Sequence, residues 1–172
     1  AEFRHEERFA RIRQEQRDLD KKPKTEAERL ANERNITYVP LDGNIAMIAD
    51  GAGTGMLTLD LIQDEGGGAA NFCEMGGLAN TQIMFDAMEA VLANPKAKVL
   101  LITLIGGLTR MDEIAEGIAQ YIRVHGRTVP MVVRMCGTQE EVGRATLHDI
   151  GIEPFEDLVK TVQAAVAIAR TV

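Results

Sequence analysis

The chain has 172 residues, a formal net charge of −7, 45% hydrophobic residues, only 4% aromatics and no tryptophan. That length supports one domain with a full core, and the scarcity of aromatics leaves an aliphatic core of the kind found in α/β sheets buried on both faces. The charge is uneven: residues 1–35 carry ten Lys/Arg against nine Asp/Glu, and residues 36–172 carry nine against seventeen. An acidic body excludes broad phosphate-backbone contact, so no nucleic-acid partner is expected, although one small anion can still be held by backbone dipoles.

The longest apolar run, residues 99–105, is far too short to span a bilayer, and no signal peptide is visible, so no membrane partner is expected. The chain begins inside a charged helical pattern, as a piece of a longer polypeptide would. Cys73 and Cys136 lie in apolar runs and are read as buried free thiols in a reducing compartment, which gives a cytoplasmic expectation. No CxxC pair occurs, and His5, His125 and His148 have no metal-ligand spacing, so no metal site is expected.

Residues 1–37 form a charged connector, read as two short helices broken near Lys21-Lys22-Pro23-Lys24. Phe9 and Ile12 lie three apart, as do Ala27 and Leu30, and Thr25 with Glu28 fits a capping box at the second start. Beyond it, short apolar runs alternate with helix-period segments. Residues 45–50 read as a buried strand ending in Gly-Ala-Gly, then residues 54–65 as a helix closed by Gly66-Gly67-Gly68. Residues 69–75 read as a second strand ending at Gly76-Gly77. The following helix, 80–93, is capped by Asn80 or Thr81 and stopped by Asn94-Pro95. Residues 98–106, the most apolar strand, read as central, followed by a helix from about 109 to 124. A fourth strand over 128–135 leads to a helix with Thr138 as cap and Glu141 completing a capping box. A short strand over 152–155 and a helix over 156–169 close the chain.

This βα alternation predicts a flavodoxin-like, doubly wound, parallel five-stranded sheet with helices on both faces. In such sheets ligands bind outside the carboxyl ends of the strands, and the glycines gather there: Gly51 and Gly53, Gly76 and Gly77, Gly106 and Gly107, and Gly137. Glycine permits close backbone approach, and a helix start adds unpaired N–H groups and about half a positive charge. The segment after Gly107 is therefore a candidate anion holder, with Arg110 placed to add a charge-assisted contact and Arg134 as a second cation of the crevice. Asp50 ends the first predicted strand and could face the same crevice. GAGTG is a poor match to GxGxxG, no nucleophile–base pair is evident, and no catalytic residue is assigned. A phospho-receiver reading with Asp50 as acceptor lacks the second acid that chemistry needs.

The runs LDGNIAMIADGAGTGMLTLDLIQDEGGGAANFCEMGG, NPKAKVLLITLIGGLTRMDEIAEGIA and VPMVVRMCGTQEEVGRATL closely resemble the C-terminal domain of the succinyl-CoA synthetase β-subunit family, which includes malate–CoA and citrate–CoA ligase relatives. The resemblance covers residues 38–172, with the connector in place of the link from an ATP-grasp domain absent from this chain. It implies a ligase of the tricarboxylic acid cycle type, cytoplasmic or in the mitochondrial matrix, incomplete by itself. ATP or GTP with Mg²⁺ would sit in the absent domain, and CoA on an α subunit whose histidine is transiently phosphorylated; this chain would hold no cofactor. By position, the resemblance makes Gly107, Leu108 and Thr109 the carboxylate-binding turn, Gly106, Gly107 and Arg110 the group steadying phosphohistidine, and Asp50 a substrate contact. Asp50 stands where the family has asparagine, and Leu78 where it usually has a third glycine; both changes touch the crevice and put succinate itself in question. The alternative is a non-catalytic flavodoxin-like binding or assembly module.

Overall fold

The computed structural model describes residues 24–172; the earlier of the two expected connector helices lies outside them. In chain order the elements are α1 (Glu26–Glu33), β1 (Thr37–Pro40), β2 (Ile45–Ala49), α2 (Ala52–Asp64), β3 (Asn71–Glu74), α3 (Thr81–Leu92), β4 (Val99–Gly106), α4 (Met111–His125), β5 (Met131–Gly137), α5 (Glu140–Asp149) and α6 (Leu158–Ala169). The five strands form one sheet in the order β1-β3-β2-β4-β5.

The apolar runs dictate the layering. Along β4, Leu100, Ile102 and Leu104 pack with α1, α3, α4 and α5, while Val99 and Leu101 pack with α2 and α6. Successive side chains of a strand point to opposite faces, so a strand covered on both must be apolar throughout. β2 is likewise buried at every position. β3, β2, β4 and β5 run parallel, giving the doubly wound core expected from the βα alternation.

Two edges differ from expectation. β1, unforeseen, pairs antiparallel with β3. It is four residues long and mostly exposed, so it has no apolar face to announce it. Leu41 N–H donates inward to Ala70 O, which turns the backbone of Tyr38 and Pro40 outward. Proline there removes a free donor from the exposed edge. At the other edge, the strand expected over 152–155 shrinks to a single parallel bridge between Phe155 and Arg134. Phe155 N–H donates to Val133 O at 2.8 Å and its carbonyl accepts from Met135 N–H at 3.2 Å, but Pro154 has no N–H to extend the ladder.

The capping box of Thr25 and Glu28 forms as read, and Asn80 caps α3 by accepting from Ile83 N–H at 3.0 Å. α1 packs on α3 through the buried Ala27 and Ala31 and through Arg34, which pairs with Asp86 at 2.9 Å and with Glu89. Thr138 does not cap α5: that helix starts after Gln139, in the left-handed region at φ 61°, and the Glu140 carboxylate accepts from Gly137 N–H at 2.6 Å.

β2 and β3 meet through only two backbone bridges, Ile45 with Ala69 and Ala49 with Glu74. Between them the fully buried Asn71 side chain fills the gap, donating to Met47 O at 2.9 Å and accepting from Met47 N–H at 3.2 Å. Asn71→Leu keeps the volume and leaves two buried backbone groups unpaired, at about 1–3 kcal/mol each; urea unfolding of the variant is expected to show that loss. The thiols are separable by the same burial. Cys73 is fully buried and its pKa is pushed up to about 12 by desolvation, whereas Cys136 is half-buried. An aromatic disulfide reagent is expected to titrate one thiol in the native chain and two in denaturant.

Candidate functional site

Four turns meet at the carboxyl edge of the sheet, and side-chain hydrogen bonds lock them together. β4 outruns β2: the last paired residues are Ala49 and Thr103, so Ile105 N–H projects beyond the end of its neighbour. Asp50, 6% exposed, turns back and accepts from that N–H through Oδ2 at 2.7 Å. The expected crevice carboxylate is thus first a cap on the overhanging strand, with its second oxygen free of any protein donor among the described residues.

On the other side of β4, Gly106 pairs in register with Gly137. A Cβ built on Gly137, at φ +130°, would lie 2.1 Å from Gly106 O, so only glycine fits. This approach brings Thr138 onto the β4–α4 turn. Its N–H donates to Gly106 O at 3.1 Å, its hydroxyl donates to Gly107 O at 3.1 Å, and its carbonyl accepts from Met111 N–H at 2.9 Å. Toward β3, the buried Thr109 hydroxyl donates to Gly77 O at 3.0 Å, and the Thr81 hydroxyl donates to Glu113 O at 3.0 Å. Thr138 carries more of this lattice than any residue singled out from sequence, and its position directly after a glycine in register with Gly106 was the available signal.

Within this frame the turn Gly107-Leu108-Thr109 stands open. A Cβ on Gly107 would meet nothing within 4 Å, and the amides of Gly107, Leu108 and Thr109 have no hydrogen-bond acceptor among the described residues. α4 then begins after Arg110, which has extended backbone and makes no side-chain cap. Gly76 and Gly77 form the facing turn, with Gly76 at φ +79° and its N–H donating to Glu74 Oε2 at 3.1 Å. Gly51 and Gly53 open the α2 start, and no side-chain contact would oppose a Cβ at either. Gly106 is different: it packs against Met111 and Thr109 and contributes contact, not access.

The two expected cations are both engaged. Arg110 bonds Asp112 through Nη2 at 2.6 Å and Nε at 3.1 Å, with Glu113 at 3.5 Å. The Arg110 guanidinium, aided by the amides of residues 112 and 113, holds the Asp112 carboxyl below the usual carboxylate range. Arg134 donates to Leu104 O at 3.0 Å and Glu156 O at 2.7 Å, tying the edge where the strand expected over 152–155 is reduced to a bridge. No group of three or more metal-ligating side chains occurs among the described residues, and no helix there is long and apolar enough to cross a membrane.

Residues 48–168 match the CoA-ligase family. The chain is 40% identical over 169 residues to the β subunit of an ADP-forming succinate–CoA ligase from Pyrobaculum calidifontis, covering 98% of this chain and 43% of that protein. It is 43% identical over 151 residues to the corresponding subunit from Chloroflexus aurantiacus, covering 88% of this chain and 40% of that one. Its fold is similar to that of ATP citrate lyase from Methanothrix soehngenii, solved with citrate and coenzyme A, with TM-score 0.72, 22% identity, and coverage of 85% of this chain and 43% of that one. The chain therefore spans less than half the length of the curated relatives it matches. It belongs to the CoA-ligase family, as the CoA-ligase domain of succinyl-CoA synthetase β-like proteins.

Proposed function

We propose that this domain supplies the carboxylate-binding turn of a nucleotide-dependent acid–CoA ligase. The observation that carries this reading is the row of free amides at Gly107, Leu108 and Thr109, which follows an overhanging strand at the start of a helix. Three N–H groups and the positive end of a helix dipole suit a carboxylate without requiring a lysine.

In this reading the substrate carboxylate lies on the turn, and the start of α4 steadies a phosphohistidine presented by an α subunit. A carboxylate oxygen attacks the phosphorus, the N–P bond breaks, and acyl phosphate forms while the histidine leaves neutral. The CoA thiol then attacks the acyl carbonyl, losing its proton, and inorganic phosphate departs. ATP or GTP with Mg²⁺ would recharge the histidine from an ATP-grasp domain outside this chain, and CoA would be held by the α subunit. The chain's own part is to orient two anions side by side and screen their repulsion with backbone dipoles. An approaching phosphoryl group would compete with Asp112 for Arg110, so the Arg110–Asp112 pair sets how strongly that end of the helix attracts charge.

Reconstitution tests this. The full-length protein, combined with an α partner, is expected to hydrolyse nucleotide in a carboxylic-acid-dependent manner; silence across a panel of mono- and dicarboxylic acids, with the subunits shown to associate, would instead support a non-catalytic assembly module. Gly107→Val is expected to leave the melting temperature of the isolated chain nearly unchanged, since the site is open. It should lower kcat/KM of the assembled enzyme by about a hundredfold, because the valine side chain fills the open space beside the amides and displaces the carboxylate from them. Undiminished turnover would remove the turn from the mechanism.

A further inference from the structure

Thr138 bonds the two peptide units that open the turn. Its N–H donates to Gly106 O and its hydroxyl to Gly107 O, each at 3.1 Å. A trans peptide is planar, with its C=O and N–H pointing in opposite directions, and no peptide of the described residues is cis. The Gly106 carbonyl shares a plane with the Gly107 amide, and the Gly107 carbonyl with the Leu108 amide. Both carbonyls are drawn to Thr138, so both amides leave on the far side, away from it. The first plane continues the β4–β5 ladder, where Gly106 pairs with Gly137. The second lies beyond β4 and follows a glycine in open space. Glycine lets such a plane rotate, and the Thr138 hydroxyl is the partner described for its carbonyl. The backbone around Thr138 is itself unusual. It lies between Gly137 at φ +130° and Gln139 at φ +61°. Asn35 and Gln139 are the non-glycine residues at positive φ among the described residues; asparagine enters that region readily, and glutamine seldom does. Gln139 makes no side-chain cap bond to offset the cost. What the bend achieves is the placement of Thr138 over the β4–α4 turn, where its carbonyl also accepts from Met111 N–H at 2.9 Å.

We infer that Thr138 is a positioning residue of the turn: its N–H sets the direction of the Gly107 amide and its hydroxyl that of the Leu108 amide. The inference rests on the proposed carboxylate turn. Thr138 holds the carbonyl side of the two peptide planes and an anion would lie on the amide side, so the threonine acts through the backbone without touching the substrate. Amides aimed in advance need no reorientation when an anion binds. Such a contribution is the same for the bound acid and for its transition state, so it belongs to KM and not to kcat. Thr138 is exposed, and loss of its hydroxyl removes nothing from the apolar core. The effect on binding is therefore separable from an effect on the fold.

The test compares Thr138→Val, which keeps the shape and the backbone N–H but removes the hydroxyl, with Thr138→Ser, which keeps the hydroxyl. The assembled full-length enzyme is assayed with succinate as the probe. Thr138→Val is expected to raise the KM for succinate about fivefold, the effect of one hydrogen bond, with kcat and the KM for nucleotide changed by less than about twofold. Thr138→Ser is expected to restore the parent KM, and the melting temperatures of all three proteins should agree. In crystals of the Thr138→Val enzyme the Gly107–Leu108 peptide is expected to be rotated from its parent orientation. An unchanged succinate KM in Thr138→Val, an equal rise in Thr138→Ser, or a fall in kcat and melting temperature at constant KM would each overturn the inference, while the carboxylate turn itself stands or falls with Gly107→Val. A parent enzyme with no succinate-dependent turnover would strike the carboxylate reading for that acid. The crystals then decide the part of Thr138 by themselves, and an unrotated peptide overturns it in either case.

Discussion

The overhang of β4 governs this end of the molecule. A strand that outruns its neighbour exposes backbone donors that must find partners or face water, and here three residues extend past the last pairing with β2. Asp50 satisfies the first exposed donor on that side, and the Gly106–Gly137 pair continues the ladder on the other. The strand is therefore hydrogen-bonded on both sides near its end, and the turn that follows begins from that paired residue. Without that support the amides at 107–109 would belong to a loose loop, and their alignment would have to be paid for whenever an anion bound.

The same frame explains why the start of α4 is only a moderate anion trap. Of its first-turn donors, Met111 N–H is taken by Thr138 O, and Asp112 with Glu113 places acidic charge where the dipole is positive. That arrangement stabilises the free helix, and Arg110 is drawn into it. The open turn just upstream keeps its donors. The two segments thus differ in kind: the amides of the turn are unpaired, and the helix start is already balanced by Asp112, Glu113 and the Thr138 carbonyl. A singly charged carboxylate and a doubly charged phosphoryl group would sort themselves accordingly.

Sequence patterning reached the parallel core because both signals it depends on are local: apolar runs flanked by helix-period segments, and glycines at the strand ends. β1 was invisible because Pro40 and the exposed side chains of a four-residue edge strand carry no periodicity. Residues 152–155 imitated a strand through Ile152 and Phe155, while Pro154 permits only one bridge. The Thr138–Glu141 spacing imitated a capping box, but Gly137 and Gln139 at positive φ redirect the threonine toward Gly107. At the site, the turn at 107–109 was legible from the double glycine and the helix that follows. The duties of Asp50 and Arg134 were not, because their partners lie 55 and 22 to 30 residues away and are fixed by how far one strand overhangs another.

A fold that concentrates its polar resources in backbone amides has a particular division of labour. The hydroxyls of Thr81, Thr109 and Thr138 and the guanidinium of Arg134 each bond a distant part of the chain, whereas Arg110 pairs only with its near neighbours Asp112 and Glu113. Moving the threonines or Arg134 would break the ties between the turns. In the proposed reading the chain offers position and dipole, and the reacting groups come from the substrate and from the α subunit. In the proposed reading the domain forms one wall of a shared site, and a reactive group arriving on another surface would meet the substrate in a fixed orientation.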